Sequence, residues 1–214
     1  TALGGILILD LVLSGDNAIL IAMACRNLPK GHRLKAMVIG CAGAVIIRVV
    51  FTVFATELLA IAYIQFAGGL ALFYIALKLL KRDSSEKSMH ASATLTEAVK
   101  TIMIADFIMS IDNVLSMAGL ANTVPDERWS LILCGLFVSL PIVVCGAQLF
   151  LLVMKKVPAV IYLGSAILAF ASAEMMLMDK AVGPYLTDFS GWLEAIFILA
   201  VLARGFYNKR EDKR

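Results

Sequence analysis

Apolar residues run along this chain in long unbroken blocks, with neither the alternation of a half-buried strand nor the two-sided spacing of a surface helix. The blocks fall at about 2–25, 34–59, 60–80, 98–121, 129–153, 157–178 and 190–207. Each is close to the ~20 residues that a helix needs to cross hydrocarbon at about 1.5 Å per residue. The pattern predicts an all-α polytopic membrane protein with seven transmembrane helices. These helices take up nearly all of the 214 residues, and the longest loop, at about 81–96, is short. No soluble catalytic domain fits in the remainder, so no enzymatic activity is expected.

Two of the blocks are interrupted in the same way. Asp10-Leu-Val-Leu-Ser14-Gly15-Asp16-Asn17 and Asp106-Phe-Ile-Met-Ser110-Ile111-Asp112-Asn113 are one acidic signature written twice, and 106 − 10 gives an offset of 96 residues. At that offset Pro29 also matches Pro125, and Gly68 matches Gly164 in the third helix of each half. The expected organisation is a three-plus-three repeat with an extra helix. A first three-helix repeat covers 1–82 and a linker 83–97; a second repeat covers 98–180, a seventh helix 190–208 and a charged tail 209–214. Three is odd, so the second copy enters the membrane from the opposite side. That gives the inverted repeat of many secondary transporters, whose site lies near the midplane at the repeat interface.

Charge then orients the bundle, because short cytoplasmic loops collect Lys and Arg. Arg26, Lys30, Arg33 and Lys35 follow helix 1, and Lys78, Lys81, Arg82 and Lys87 follow helix 3. Lys155 and Lys156 follow helix 5; Arg204, Lys209, Arg210, Lys213 and Arg214 follow helix 7. The opposite side carries Glu57, Asp126, Glu127, Asp179 and Asp188 against Arg128 and Lys180, with Trp129, Tyr185 and Trp192 near the outer interface. The N-terminus is therefore expected outside and the C-terminus in the cytoplasm. No basic segment precedes helix 1 and no small-residue cleavage site follows it, so it reads as a span rather than a cleaved signal. Thr1 in first place points to a trimmed start.

Composition agrees with this class: 61% hydrophobic, 16% charged and a mean hydropathy of +0.90 lie far from a soluble balance. The net charge of +3 sits in the loops and carries no nucleic-acid signal. The partner that composition implies is the lipid bilayer, and no oligomeric state follows from it.

An isolated acid at the membrane centre costs roughly 2.5 to 3.5 kcal/mol on insertion scales, so four in matched positions need compensation. A bound cation is the simplest source. Counted from the helix ends, Asp10 and Asp112 differ by about 3 Å in depth, and Asp16 and Asp106 pair likewise. In one straight helix Asp10 and Asp16 would stand about 9 Å apart along the axis and about 120° apart around it, too far to share an ion. A break at Ser14-Gly15-Asp16-Asn17 is therefore expected, since Gly weakens helices and Ser, Asp and Asn offer competing local hydrogen bonds. Ile111 replaces Gly15 in the second copy, so the same break is less expected there. Carboxylate, amide and hydroxyl oxygens, with no paired His or Cys at that depth, suit Mn2+, Ca2+ or Mg2+. The bland alternative is that the acids pair with a buried base such as Arg48, or hydrogen-bond between helices in protonated form.

D-x3-SGDN in the first helix and D-x3-S-x-DN in the fourth, with Arg48 in helix 2 and Lys78 ending helix 3, resemble the TerC family over essentially the whole chain. The resemblance implies a bacterial inner-membrane protein that exports divalent metal, manganese above all. The family motif maps onto Asp10, Ser14, Gly15, Asp16 and Asn17, and onto Asp106, Ser110, Asp112 and Asn113. The expected metal ligands are Asp10, Asp16, Asn17, Asp106, Asp112 and Asn113, supported by Ser14, Gly15, Ser110 and Arg48. One ion between helices 1 and 4, or two transient layers, both fit. Two other classes stay open: an exporter of an amino acid or small organic cation, and an assembly factor that transports nothing.

The remaining polar residues take smaller parts. Arg48, in mid-helix, reads as a counter-charge when metal is absent. Lys78 snorkels or gates, and Glu174, beside Met175, Met176 and Met178, guards an exit or simply packs. Thr94-x-x-Glu97 is a capping box opening helix 4, while Pro141 and Gln148 in helix 5 mark a kink or an interhelical hydrogen bond. His32 and His90 lack metal-ligand spacing. Cys25, Cys41, Cys134 and Cys145 read as reduced packing residues. Four carboxylates against one divalent ion leave excess negative charge, so coupling to inward protons is also expected.

Overall fold

The computed structural model describes residues 15–53, 61–81, 94–121 and 128–211, with side chains placed at 15–51, 61–80, 94–111 and 133–207. Every described element is helical. The seven longer helices are α1 (Gly15–Cys25), α2 (Lys30–Val53), α3 (Ile64–Lys81), α4 (Leu95–Ala121), α5 (Arg128–Lys156), α6 (Val160–Leu177) and α7 (Ser190–Glu211). A single turn, Gly183–Leu186, and a 3-10 turn, Thr187–Phe189, lead into α7. Among the described residues, four stretches are long and apolar enough to cross a membrane: Lys30–Phe51, Leu133–Lys156, Val160–Leu177 and Gly183–Tyr207. Gly15–Cys25 and Ile64–Leu80 are shorter apolar helices.

The interhelix packing survives exchange of α1–α3 with α4–α6. The most extensive contact is α2 on α4, and its counterpart is α5 on α1; α3 packs on α6, which is its own counterpart. Likewise α3 meets α4 and α6 meets α1. The repeat-related glycines carry these last contacts. A Cβ on Gly68 would lie 2.6 Å from Met175 Cε and 3.3 Å from Ile108 Cγ2 of α4, and one on Gly164 would lie 2.8 Å from Ile19 Cγ2 of α1. Only a residue without a side chain allows such approach, which is how helices associate where no hydrophobic driving force separates them from lipid. On α2 the small residues Ala36, Gly40, Gly43 and Ala44 present the same kind of face to α4, with Gly40 against Ile102 and Gly43 against Met103.

The seventh helix lies across this arrangement, packing on α6 and α3. Phe197 meets Phe73 at 4.3 Å between ring centroids, and Phe206 stacks on Tyr162 at 5.7 Å. Bulky side chains such as Phe137, Leu149, Leu163, Leu199 and Trp192 point outward, the distribution of a bundle whose surroundings are lipid.

Helix ends are satisfied by specific groups. Glu97 N–H donates to Thr94 Oγ1 at 3.2 Å and Thr94 N–H to Glu97 Oε2 at 3.4 Å, the reciprocal capping box read from the sequence. At the other end of α1, Arg26 Nη2 donates to the Leu79 carbonyl at the C-terminal turn of α3 (2.9 Å), and Arg33 donates to the Leu28 and Arg26 carbonyls (2.8 and 2.7 Å). Two of the basic residues that follow α1 therefore tie α1, α2 and α3 together by bonding carbonyls near the helix ends.

The acid at position 179 is more than an outer-loop charge. Asp179 is 2% exposed and lies just beyond α6. Its Oδ2 accepts Phe66 N–H at 3.1 Å, and its Oδ1 accepts Ala181 and Val182 N–H at 2.9 and 3.1 Å. Phe66 is in the first turn of α3, where amide hydrogens lack helical partners. Burial alone would raise this carboxyl, but the N–H groups of Phe66, Ala181, Val182 and Gln65 outweigh it and hold the group below its ordinary value. One carboxylate thus staples the start of α3 to the α6–α7 connection.

Candidate functional site

Arg48 lies eighteen residues into α2, where an unpaired guanidinium would be costly. It is 5% exposed and points at α4. Its Nη2 donates to Asp106 Oδ1 at 2.9 Å and its Nε to Ser110 Oγ at 2.9 Å, while Ser110 Oγ donates to Asp106 Oδ2 at 3.1 Å. Asp106 and Ser110 are four residues apart and so share a face of α4. That spacing, read as half of the acidic signature, here forms a closed triangle around one cation. The Asp106 side chain is 13% exposed, and within this low-dielectric setting the three groups satisfy one another.

A cavity of about 30 Å³ opens beside the triangle, lined by α1, α2, α4 and α5. At roughly 10–15 Å³ per water it takes about two waters or one partly dehydrated ion. Its polar wall consists of Asn17 from α1, Arg48 and Cys41 from α2, Asp106 from α4 and Ser139 from α5. Ser139 Oγ donates to the Leu136 carbonyl at 3.1 Å, leaving its lone pairs uncommitted. The rest of the wall is apolar, including Ile21, Val45, Ile102 and Val143.

Asn17 is the side chain this wall leaves unsatisfied. It is 3% exposed, and neither Oδ1 nor Nδ2 has a hydrogen-bond partner among the described residues. A buried amide without partners costs on the order of 1–3 kcal/mol, so its survival at the edge of an ion-sized cavity marks a place for a ligand or for water. Next to it, Asp16 Oδ1 accepts the Asn17 backbone N–H at 2.8 Å, and its carboxylate lies within electrostatic reach of Asp106 and Arg48.

The structure therefore brings Asn17, Arg48, Asp106 and Ser110 together, with Asp16 adjacent. Asp10 and Ser14 lie outside the described residues, as do the side chains of Asp112 and Asn113. Among the described residues no three His, Cys, Asp or Glu side chains form a cluster able to hold a metal by themselves. Gly15, Asp16 and Asn17 are helical in α1, and Ser14, where the expected break begins, lies outside the described residues. In the second copy α4 runs unbroken from Leu95 to Ala121 through Asp106–Asn113; Ile111 stands where a glycine would weaken it. Lys78 is exposed on α3, and Glu174 is exposed on α6. Neither lines the cavity.

Cys41, expected as a packing residue, belongs to the buried core and also lines the same cavity as Asn17 and Asp106. Cys41 and Arg48 are seven residues apart, two helical turns, and so share a face of α2. That relation was the available signal.

Residues 1–213 match the model of the family described as integral membrane protein TerC. The chain is 37% identical over 195 residues to an uncharacterized membrane protein, YjbE, of Bacillus subtilis strain 168, covering 91% of this chain and 87% of that one. It is 30% identical over 139 residues to the UPF0053 inner membrane protein YgdQ of Escherichia coli K12, covering 56% and 59%. A second Bacillus subtilis membrane protein, YkoY, is 26% identical over 190 residues, covering 81% and 58%. No solved structure matches.

Proposed function

The chain belongs to the integral membrane protein TerC family, and on that premise we propose that it exports a hard divalent cation, Mn2+ above all, through a site between α1 and α4. The observation that carries this reading is the pairing of a buried amide without a partner among the described residues, Asn17, with a carboxylate, Asp106, already held by a tethered cation across an ion-sized cavity. Arg48 stands in for the transported ion. When the metal arrives, its charge replaces that of the guanidinium at Asp106, and Asn17 gains the ligand its amide oxygen lacks.

Asp10, Asp16, Asp112 and Asn113 complete the ligand set in this proposal, with Ser14, Gly15 and Ser110 shaping the two motifs. The exchange of Arg48 for metal keeps the midplane near neutrality in both the loaded and the empty state, which is the physical requirement for moving charge through lipid. Carboxylates that leave the metal without an arginine to receive them take protons, so inward protons drive the outward metal. The host membrane is the bacterial inner membrane, with the N-terminus outside and helices 1–3 and 4–6 related by an axis in the membrane plane.

Reconstituted vesicles test this. Asp16→Asn or Asp112→Asn nearly preserves shape and removes charge, and either substitution is expected to lower Mn2+ flux at least a hundredfold. Wild-type flux in both variants would refute the site. With the membrane potential clamped, flux that ignores an imposed pH gradient would refute the coupling.

A further inference from the structure

We propose that Cys41 is a specificity-determining ligand of this site, a sulfur donor that admits transition-metal ions and turns away Ca2+ and Mg2+. The inference rests on the transport reading above and deepens it by naming what selects the ion.

Cys41 is a free thiol, 6% exposed, on the cavity-facing side of α2. A lone buried cysteine is ordinarily a packing residue. This one shares an ion-sized cavity with Asn17, whose amide is 3% exposed and has no partner among the described residues. The cavity is lined from four helices, by Asn17 of α1, Cys41 of α2, Asp106 of α4 and Ser139 of α5, residues that carry an amide, a thiol, a carboxylate and a hydroxyl. In a space of about 30 Å³ an ion meets several walls at once, that of Cys41 among them.

The chemistry of the donor set then decides among ions. Ca2+ and Mg2+ take oxygen ligands almost exclusively, and a cavity that replaces one oxygen with sulfur offers them an incomplete shell. Transition ions accept mixed oxygen and sulfur donors, with sulfur favouring the softer ones. The oxygen donors of the proposed ligand set keep the site from becoming a trap for soft metals, while one sulfur disfavours the two abundant ions that take oxygen almost exclusively. Selection against Ca2+ and Mg2+ thus needs no size filter.

Purified full-length protein in detergent provides the test, with Cd2+ and Ca2+ as probes of nearly equal size and opposite softness. A C25A/C134S/C145S parent keeps Cys41 as its single thiol. Calorimetry on this parent is expected to show Cd2+ binding much more tightly than Ca2+. Adding C41S is expected to weaken Cd2+ by about tenfold or more and to leave Ca2+ within about twofold. Equal weakening of both ions, no weakening of Cd2+, or a parent that binds no Cd2+ would overturn the proposal. The unmodified protein needs no folded variant: in vesicles, Cd2+ is expected to compete with Mn2+ far better than Ca2+ does, and equal competition would also overturn it. Wild-type vesicles that move no divalent ion while Cd2+ binding still depends on Cys41 would refute transport and leave the ligand assignment standing.

Discussion

The two halves of the molecule pack alike and are charged differently. Contacts made by α2 on α4 recur as α5 on α1, and Gly68 and Gly164 play one part in both. At the centre the likeness stops. Arg48 of α2 has Val144 as its counterpart in α5, since 48 + 96 = 144, and Val144 is buried. The second acidic motif is accordingly satisfied: Asp106 and Ser110 close on a guanidinium. The first motif shows the opposite condition, an Asn17 amide with no partner among the described residues. In the proposed transport cycle the two motifs would be unequal for this reason: Arg48 closes on Asp106 and Ser110 of the second, while Asn17 of the first is left without a partner among the described residues.

The strongest way to break this comparison is Arg48→Val, which makes the first half copy the second. It strands Asp106, and removing one member of a buried pair costs about 3–5 kcal/mol. Export is expected to collapse and the melting temperature to fall, with Mn2+ restoring stability to the variant more than to the wild type. The double variant R48Q/D106N is expected to be more stable than either single one, because it leaves no buried charge unpaired. Equal stability of all three would separate Arg48 from Asp106.

Val144→Arg tests the comparison from the other side by giving the first motif a cation of its own. Its expected effect is smaller, a roughly tenfold loss of Mn2+ affinity, equivalent to about 1.4 kcal/mol, with export reduced but measurable. Unchanged affinity in a folded V144R protein would argue that the asymmetry is incidental.

The smallest effect belongs to a residue outside the comparison. Asp179→Asn is expected to lower the melting temperature by a few degrees without changing ion preference. The folded carboxyl lies below its ordinary value, so its contribution is complete above the unfolded value near 4 and is lost as the pH falls through the folded one. Melting curves of wild type and D179N are expected to converge below about pH 4; a constant gap down through that range would contradict the staple.

Much of this was legible because it is local. Hydropathy marked the helices, Thr94 and Glu97 announced a cap through their spacing, and the 96-residue offset pointed to glycines, Gly68 and Gly164, that both sit at close helix contacts. What escaped depends on convergence in space. Nothing near Asp179 in the chain says that its carboxylate reaches Phe66 N–H on another helix. Cys41 is the core residue its sequence setting suggested, but that it also lines the cavity depends on how α2 lies beside α1 and α4. Arg48 was legible as a buried cation, but its choice of Asp106 and Ser110 is set by the close α2–α4 contact across Gly40 and Gly43, which no periodicity encodes.

The central claim is that metal and Arg48 compete for Asp106 across one cavity. Crystals grown with Mn2+ and measured at the manganese edge test it most directly. The account predicts an anomalous peak between Asn17 and Asp106, with the Arg48 guanidinium withdrawn from its 2.9 Å contact with Asp106. A peak elsewhere, or a peak in the cavity with that ion pair intact, would contradict it.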